Sequence, residues 1–131
     1  MVKPLRSTAD ACPCGRAAWA DCCSRYIGTG VPAPDAESLM RSRYSAFVRG
    51  DVDHLRATWH PDRCPADLAL DASVRWLGLE VRSHRVTGPD TAEVEFVARS
   101  RLAGRGQRLH ERSRFVRQAG RWLYVDGDIL N

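Results

Sequence analysis

The sequence predicts an α+β fold, with helices packed on one face of an antiparallel sheet and a small cysteine-rich module ahead of them. Three observations carry this reading. Apolar residues recur at helical spacing between Ala36 and Phe47. From Val74 onward the period drops to two, in stretches separated by glycine-bearing turns. Upstream of both, four cysteines fall within twelve residues, Cys12 to Cys23.

The elements follow in order. Gly28, Gly30, Pro32 and Pro34 punctuate a linker with no periodicity. Asp35 is placed as a helix N-cap, and Ala36, Leu39, Met40, Arg43, Tyr44 and Phe47 form one helical face with Arg43 its single charge. Gly50 suits the end of that helix. Asp51 opens a shorter helix carrying Val52, Leu55 and Trp59, which Pro61 ends. Strands are expected at Val74–Val86, Thr91–Leu102, Leu109–Val116 and Arg121–Val125. In the second of these Val94, Phe96 and Ala98 take one face, and Glu93, Glu95, Val97 and Arg99 the other. The expected domains are residues 1–30, a cysteine module with its linker, and residues 31–131, the α+β domain.

Composition bounds the function. At 131 residues, 44% hydrophobic and 27% charged, the chain can bury one core with a small appendage. No apolar run approaches the roughly 20 residues of a spanning helix, and Met1–Asp10 lacks a signal-peptide core, so no membrane is expected and the cytoplasm is the expected compartment. A reducing compartment favours thiolates over disulfides. The net charge is +4, and eight arginines against one acid lie between Arg99 and Arg121. That stretch reads as a solvated strand face or as a phosphate-attracting hairpin, although no aromatic residue falls within Arg99–Arg114 to stack on a base. A P-loop, a dinucleotide fingerprint and a nucleophile elbow are absent from the sequence.

The cysteines carry the clearest chemistry. Cys12-Pro13-Cys14-Gly15 and Cys22-Cys23 flank a short loop, and two such pairs can close a tetrahedral thiolate site on zinc. Four protein ligands fill that shell, so the zinc is expected to be structural. The adjacent pair Cys22 and Cys23 can both ligate only if the backbone bends sharply between them. Cys64 stands apart and reads as a small, half-buried side chain.

The cysteine segment resembles the SEC-C motif found at the C-terminus of the SecA translocation ATPase. The runs from Ala33 to Phe47, Asp53 to Pro61, His110 to Val116 and Gly120 to Gly127 are similar to the YchJ-like family of bacterial proteins. The resemblance implies a nuclear-transport-factor-2-like (NTF2-like) cone, in which helices pack into the concave side of a curved antiparallel sheet. It implies zinc on Cys12, Cys14, Cys22 and Cys23. The loop between the second and third ligands, Gly15 to Asp21, is one residue shorter than in the motif, and Arg16 stands where the motif has a small-residue turn.

A cone encloses a pocket, and its candidate polar residues are Tyr44, Trp59, His60, Glu111, Ser113 and Arg114. By alternation Glu111 and Ser113 share a face with Leu109 and Phe115. Glu111 is then either an ion-pair partner of a helix arginine such as Arg41 or Arg43, or a carboxylate in an apolar pocket able to act as a base. His60 is either a helix-end residue or a second candidate base, and Tyr44 a donor to an oxyanion. The expected function is a zinc-knuckle binding or adaptor protein with a protein partner and room for a small-molecule ligand. The alternatives are an isomerase- or dehydratase-type enzyme, and nucleic-acid binding through the arginine-rich hairpin. A homodimer is a further expectation.

Overall fold

The computed structural model describes residues 11–130. Met1–Asp10, which carried the signal-peptide reading and the start of the first expected domain, lie outside the described residues. Two short 3-10 turns, Trp19–Asp21 and Cys23–Arg25, precede helix α1 (Ala36–Arg49), helix α2 (Val52–Ala57) and strands β1 (Arg75–Gly88), β2 (Thr91–Leu102), β3 (Arg105–Gln118) and β4 (Arg121–Ile129). The strands form one antiparallel meander in the order β1-β2-β3-β4. No helix among the described residues is long and apolar enough to cross a membrane.

The caps of α1 are those its sequence calls for. The Asp35 carboxylate accepts from the Ser38 N–H at 2.7 Å, and Gly50 adopts a left-handed φ of 77°, open to a residue without Cβ. The core joins Ala36, Leu39, Met40 and Tyr44 of α1 to Ala92, Val94, Phe96 and Ala98 of β2, with Phe115 and Trp122. This is the β2 face that alternation selects. Val97, on the opposite face, is nevertheless fully buried.

Three differences from the sequence reading have local causes. Helix α2 stops at Ala57, so Trp59 is not helical. Thr58 turns its hydroxyl back onto the His54 carbonyl at 2.7 Å, and Thr58 and His60 then pair with the backbone of Tyr124 at 2.8 Å. Trp59 is thereby held against β4. The stretch between Leu102 and Leu109, which the sequence leaves outside its expected strands, contains only a two-residue turn. Ala103 and Gly104 both take positive φ, 52° and 78°, which lets β3 begin at Arg105. The β3 and β4 strands are also longer than their apolar stretches, because backbone pairing runs on past them, from Leu102 opposite Arg105 to Glu111 opposite Ile129.

Register shifts between Trp76 and Gly78, Val81 and Ser83, and Val86 and Gly88 interrupt the β1–β2 ladder, and another lies at Arg114/Phe115 against β4. Each extra residue bends and twists its strand, which curves the sheet around α1.

His54 fixes α2 on α1. It is 8% exposed, and its Nε2 shares a 2.9 Å hydrogen bond with Ser42 Oγ. Burial first, then the Arg43 charge, pushes the imidazole down to about 4. A depressed histidine contributes stability above its unfolded value of about 6.5, and that contribution is lost as pH falls toward the folded value. Urea unfolding of the wild type should therefore show stability falling between these limits, by up to about 1.4 kcal/mol per pH unit from this group. His54→Gln, which gains no proton, should lose less; equal losses in the two proteins would show that His54 is not the linked group.

Candidate functional site

The four cysteines converge. Cys12, Cys14, Cys22 and Cys23 are all buried, at 3% exposure or less, and their Sγ atoms lie within 4.8 Å of one another. Thiolates at about 2.3 Å from a tetrahedral zinc stand about 3.8 Å apart. The Cys14 and Cys22 sulfurs are 3.5 Å apart, so the set brackets that spacing. The loop accomplishes this locally. Gly15, at φ 84°, closes a turn back onto the Cys12 carbonyl, and the Cys12 N–H donates to Ala17 at 2.9 Å. Cys22 has φ −133° and ψ −122° and divides the two 3-10 turns. This is the bend that adjacent ligands require.

Without a cation these thiols conflict. Hydrogen bonds with Cys14 and then Cys23 hold Cys12 far below the ordinary thiol value. Its bonds with Cys12 and Cys14, reinforced by burial, push Cys23 far above it. Burial, then Cys14, pushes Cys22 up to about 11. Negative charge is thus confined to part of the cluster. A divalent cation relieves this by accepting thiolates from every side, and the residues present fit such an ion.

The knuckle is fastened to α1 by polar contacts. Cys12 Sγ lies 3.4 Å from Ser45 Oγ, Arg41 Nη1 donates to the Cys14 carbonyl at 3.0 Å, and Arg16 donates to Ser38 Oγ at 3.0 Å and Glu37 Oε2 at 2.7 Å. The residue that shortens the loop therefore reaches outward to the helix. Sequence reasoning missed these fasteners. The available signal was Ser38, Ser42 and Ser45, small polar residues on one helical face at i, i+4 and i+7.

Between α1 and the sheet lies a cavity of about 260 Å³. Aromatic rings make most of its wall, and Arg43, Glu111 and Ser113 bring the polar chemistry. Glu111 pairs with neither Arg41 nor Arg43. Its Oε2 accepts from Ser113 Oγ at 2.5 Å and from the Tyr124 hydroxyl at 3.1 Å. The carboxylate packs over Gly127, where any Cβ would collide with it. Arg41 instead serves the knuckle. Tyr44 lines the cavity, and burial pushes its phenol up to about 12 against a hydrogen bond with the Gly78 backbone, so it stays a neutral donor.

The other candidates fall elsewhere. His60 is not among the cavity's lining residues; its Nδ1 faces the Asp62 N–H at 3.2 Å and its Nε2 faces Gln118 at 3.4 Å. Arg114 projects from the outer face onto Asp126 at 2.6 Å and Asp128 at 2.7 Å. Of the eight arginines in the basic stretch, three more meet acids, Arg99 near Glu80, Arg112 near Glu95 and Arg117 on Asp90. Cys64 is half-buried and stands apart from the cluster.

Residues 35–127 match the family described as "YchJ, middle NTF2-like domain". A UPF0225 protein of Methylibium petroleiphilum is 62% identical over 130 residues, spanning 98% of this chain and 96% of its own. A UPF0225 protein of Cupriavidus pinatubonensis is 56% identical over 136 residues, spanning 98% and 94%. The solution structure of a SEC-C motif containing protein from Rhodopseudomonas palustris is similar with a TM-score of 0.79 at 33% identity, over 92% of this chain and 98% of that one. A crystal structure of a SEC-C motif containing protein from Psychrobacter arcticus gives 0.70 at 29%, over 95% and 75%. With helices ahead of a curved meander and a gathered cysteine cluster in front, the chain belongs to the YchJ-like UPF0225 family and carries that family's NTF2-like domain.

Proposed function

We propose that the protein is a zinc-stapled binding protein, in which the metal shapes the molecule and binding is its work. The observation that carries this is the closed set of four buried sulfurs within 4.8 Å. Thiolates of this softness and number favour zinc, and four of them leave no position for a reacting water. The stapled knuckle then offers a rigid outer surface to a protein partner, and the cone behind it offers an interior site. Fold alone does not assign such a role; the stapling and the hollow interior support it.

A second reading, acid–base catalysis in the cone, has one observation in its favour. Glu111 and Tyr44 both line the cavity. Glu111 is its base in that reading, with His60 set aside by position.

Purified under reducing conditions, the chain should hold one zinc, measured by elemental analysis against protein concentration; well under half an equivalent would overturn the zinc assignment. Cobalt substitution should add thiolate-to-metal charge-transfer absorption. Cys12→Ser combined with Cys14→Ser should release the metal and lower the melting temperature, because Ser45, Arg41 and Glu37 lose their counterparts, while the far-UV signal of the sheet persists. Disappearance of the whole transition would show that residues 31–131 do not stand alone. Glu111→Gln keeps an oxygen for both hydroxyls and should change stability by only about 1 kcal/mol. A loss above about 3 kcal/mol would mark Glu111 as half of a buried ion pair instead.

A further inference from the structure

Beside the cavity lie one unpartnered buried donor and one buried cation without an ion-pair partner. Trp59 Nε1 is the one buried side-chain nitrogen or oxygen among the described residues without a hydrogen-bond partner. Arg43 is 6% exposed, and no carboxylate lies within ion-pair distance of it among the described residues. All of its hydrogen bonds leave from Nη1, to the Leu55 carbonyl at 2.8 Å and Thr58 Oγ1 at 2.7 Å. Its guanidinium lies 4.8 Å from the Trp59 ring and 4.7 Å from the Tyr124 ring. Both residues line the cavity.

A buried donor left unmade is costly, and a buried cation without a counter-charge more so. Burial already pushes Arg43 down to about 10, yet it remains charged at neutral pH. Glu111, the cavity's own carboxylate, favours the cation only from a distance. That group lies beyond ion-pair distance and gives its Oε2 to Ser113 and Tyr124. The rest of the wall is largely apolar and aromatic, with Tyr44, Phe47, Trp76, Phe96 and Phe115. The cavity therefore lacks one thing its chemistry calls for, an anionic acceptor beside Arg43, carried on a body that prefers aromatic surroundings.

We infer that the cone binds a small aromatic carboxylate, whose oxygens accept from the Arg43 guanidinium while its ring lies among the aromatic side chains. This goes beyond the zinc reading, and its anchor Arg43 hydrogen-bonds to Leu55 and Thr58, not to the cysteine cluster.

The test uses the full chain as purified, with its zinc content measured separately, and 2-naphthoate as the probe. The cation of the same shape, 2-naphthylmethylammonium, is the control. The readouts are calorimetry and the indole N–H cross-peaks of 15N-labelled protein, assigned to Trp59 with the Trp59→Phe variant. Naphthoate should bind and displace the Trp59 indole peak, and the ammonium probe should not. Arg43→Met should weaken naphthoate at least about tenfold, as expected for losing a charged hydrogen bond. Should either variant fail to fold, the charge preference of the wild type decides. An unmoved Trp59 peak at millimolar naphthoate, or equal binding of both probes, would overturn the proposal. Binding by a zinc-free chain would leave it standing while removing the zinc assignment.

Discussion

Helix α1 is buried on almost every side, and the rest of the molecule depends on how that burial is satisfied. Its apolar residues Leu39, Met40 and Tyr44 meet the sheet. Ala36 and Ala46 are buried as well, Arg43 lines the cavity, and each of the three buried serines has a partner: Ser38 takes Arg16, Ser42 takes His54, and Ser45 takes Cys12. Serine is small enough to let a second layer approach the helix closely and polar enough to bond to it. The cysteine knuckle is thus a fitted cover on the outer side of the helix that roofs the cavity. The same sulfurs that would ligate an ion fall within the continuous core. A metal that orders the knuckle also braces α1 from behind, and so reaches the cavity without touching it.

The cavity exists because the sheet cannot lie flat against α1. Bulges along β1 and at the β3–β4 junction bend the strands, and T-shaped ring pairs such as Trp59–Tyr124 and Phe115–Tyr124 line part of the space left over. Trp59 reaches this wall only because Thr58 ends α2 and hands the chain to the edge of β4. That handover also covers part of the edge that β4 would otherwise present to another strand.

Most of the architecture was legible in the sequence because its signals were local. Asp35 and Gly50 bracket α1, and alternation along β2 names its buried face. The four sulfurs were legible as a set because two close cysteine pairs have few other uses in a reducing compartment. What escaped depended on contacts distant in sequence. The acids that offset Arg99, Arg112, Arg114 and Arg117 come from other strands or turns, so a one-dimensional count saw an unbalanced basic stretch. The partners of Glu111 are a hydroxyl two residues away and another across β4, and both look like ordinary strand residues in the sequence. Gly127, which makes room for that carboxylate, lies beyond the end of the strand expected from the sequence. Arg43 was visible as a charge on an apolar face, but its lack of a counter-charge is a property of the folded chain alone.

That last contrast bears on what the interior is for. On the outer face the chain sets its arginines against carboxylates, where solvent screening makes each pair worth little. Inside, where an unbalanced charge is felt most, it leaves Arg43 without one. The charge is not locally inert, since it helps keep the neighbouring His54 neutral. Two aromatic faces, the Leu55 carbonyl and the Thr58 hydroxyl hold the guanidinium in place without neutralising it. A side chain such as methionine would fill the same volume with none of the desolvation penalty, and replacing buried charge by apolar packing is often neutral or stabilising. Stability alone does not account for an arginine at this position. A cation held rigid, dry and unpaired beside an open cavity is instead what recognition of an anion requires, because the penalty is already met before the ligand arrives.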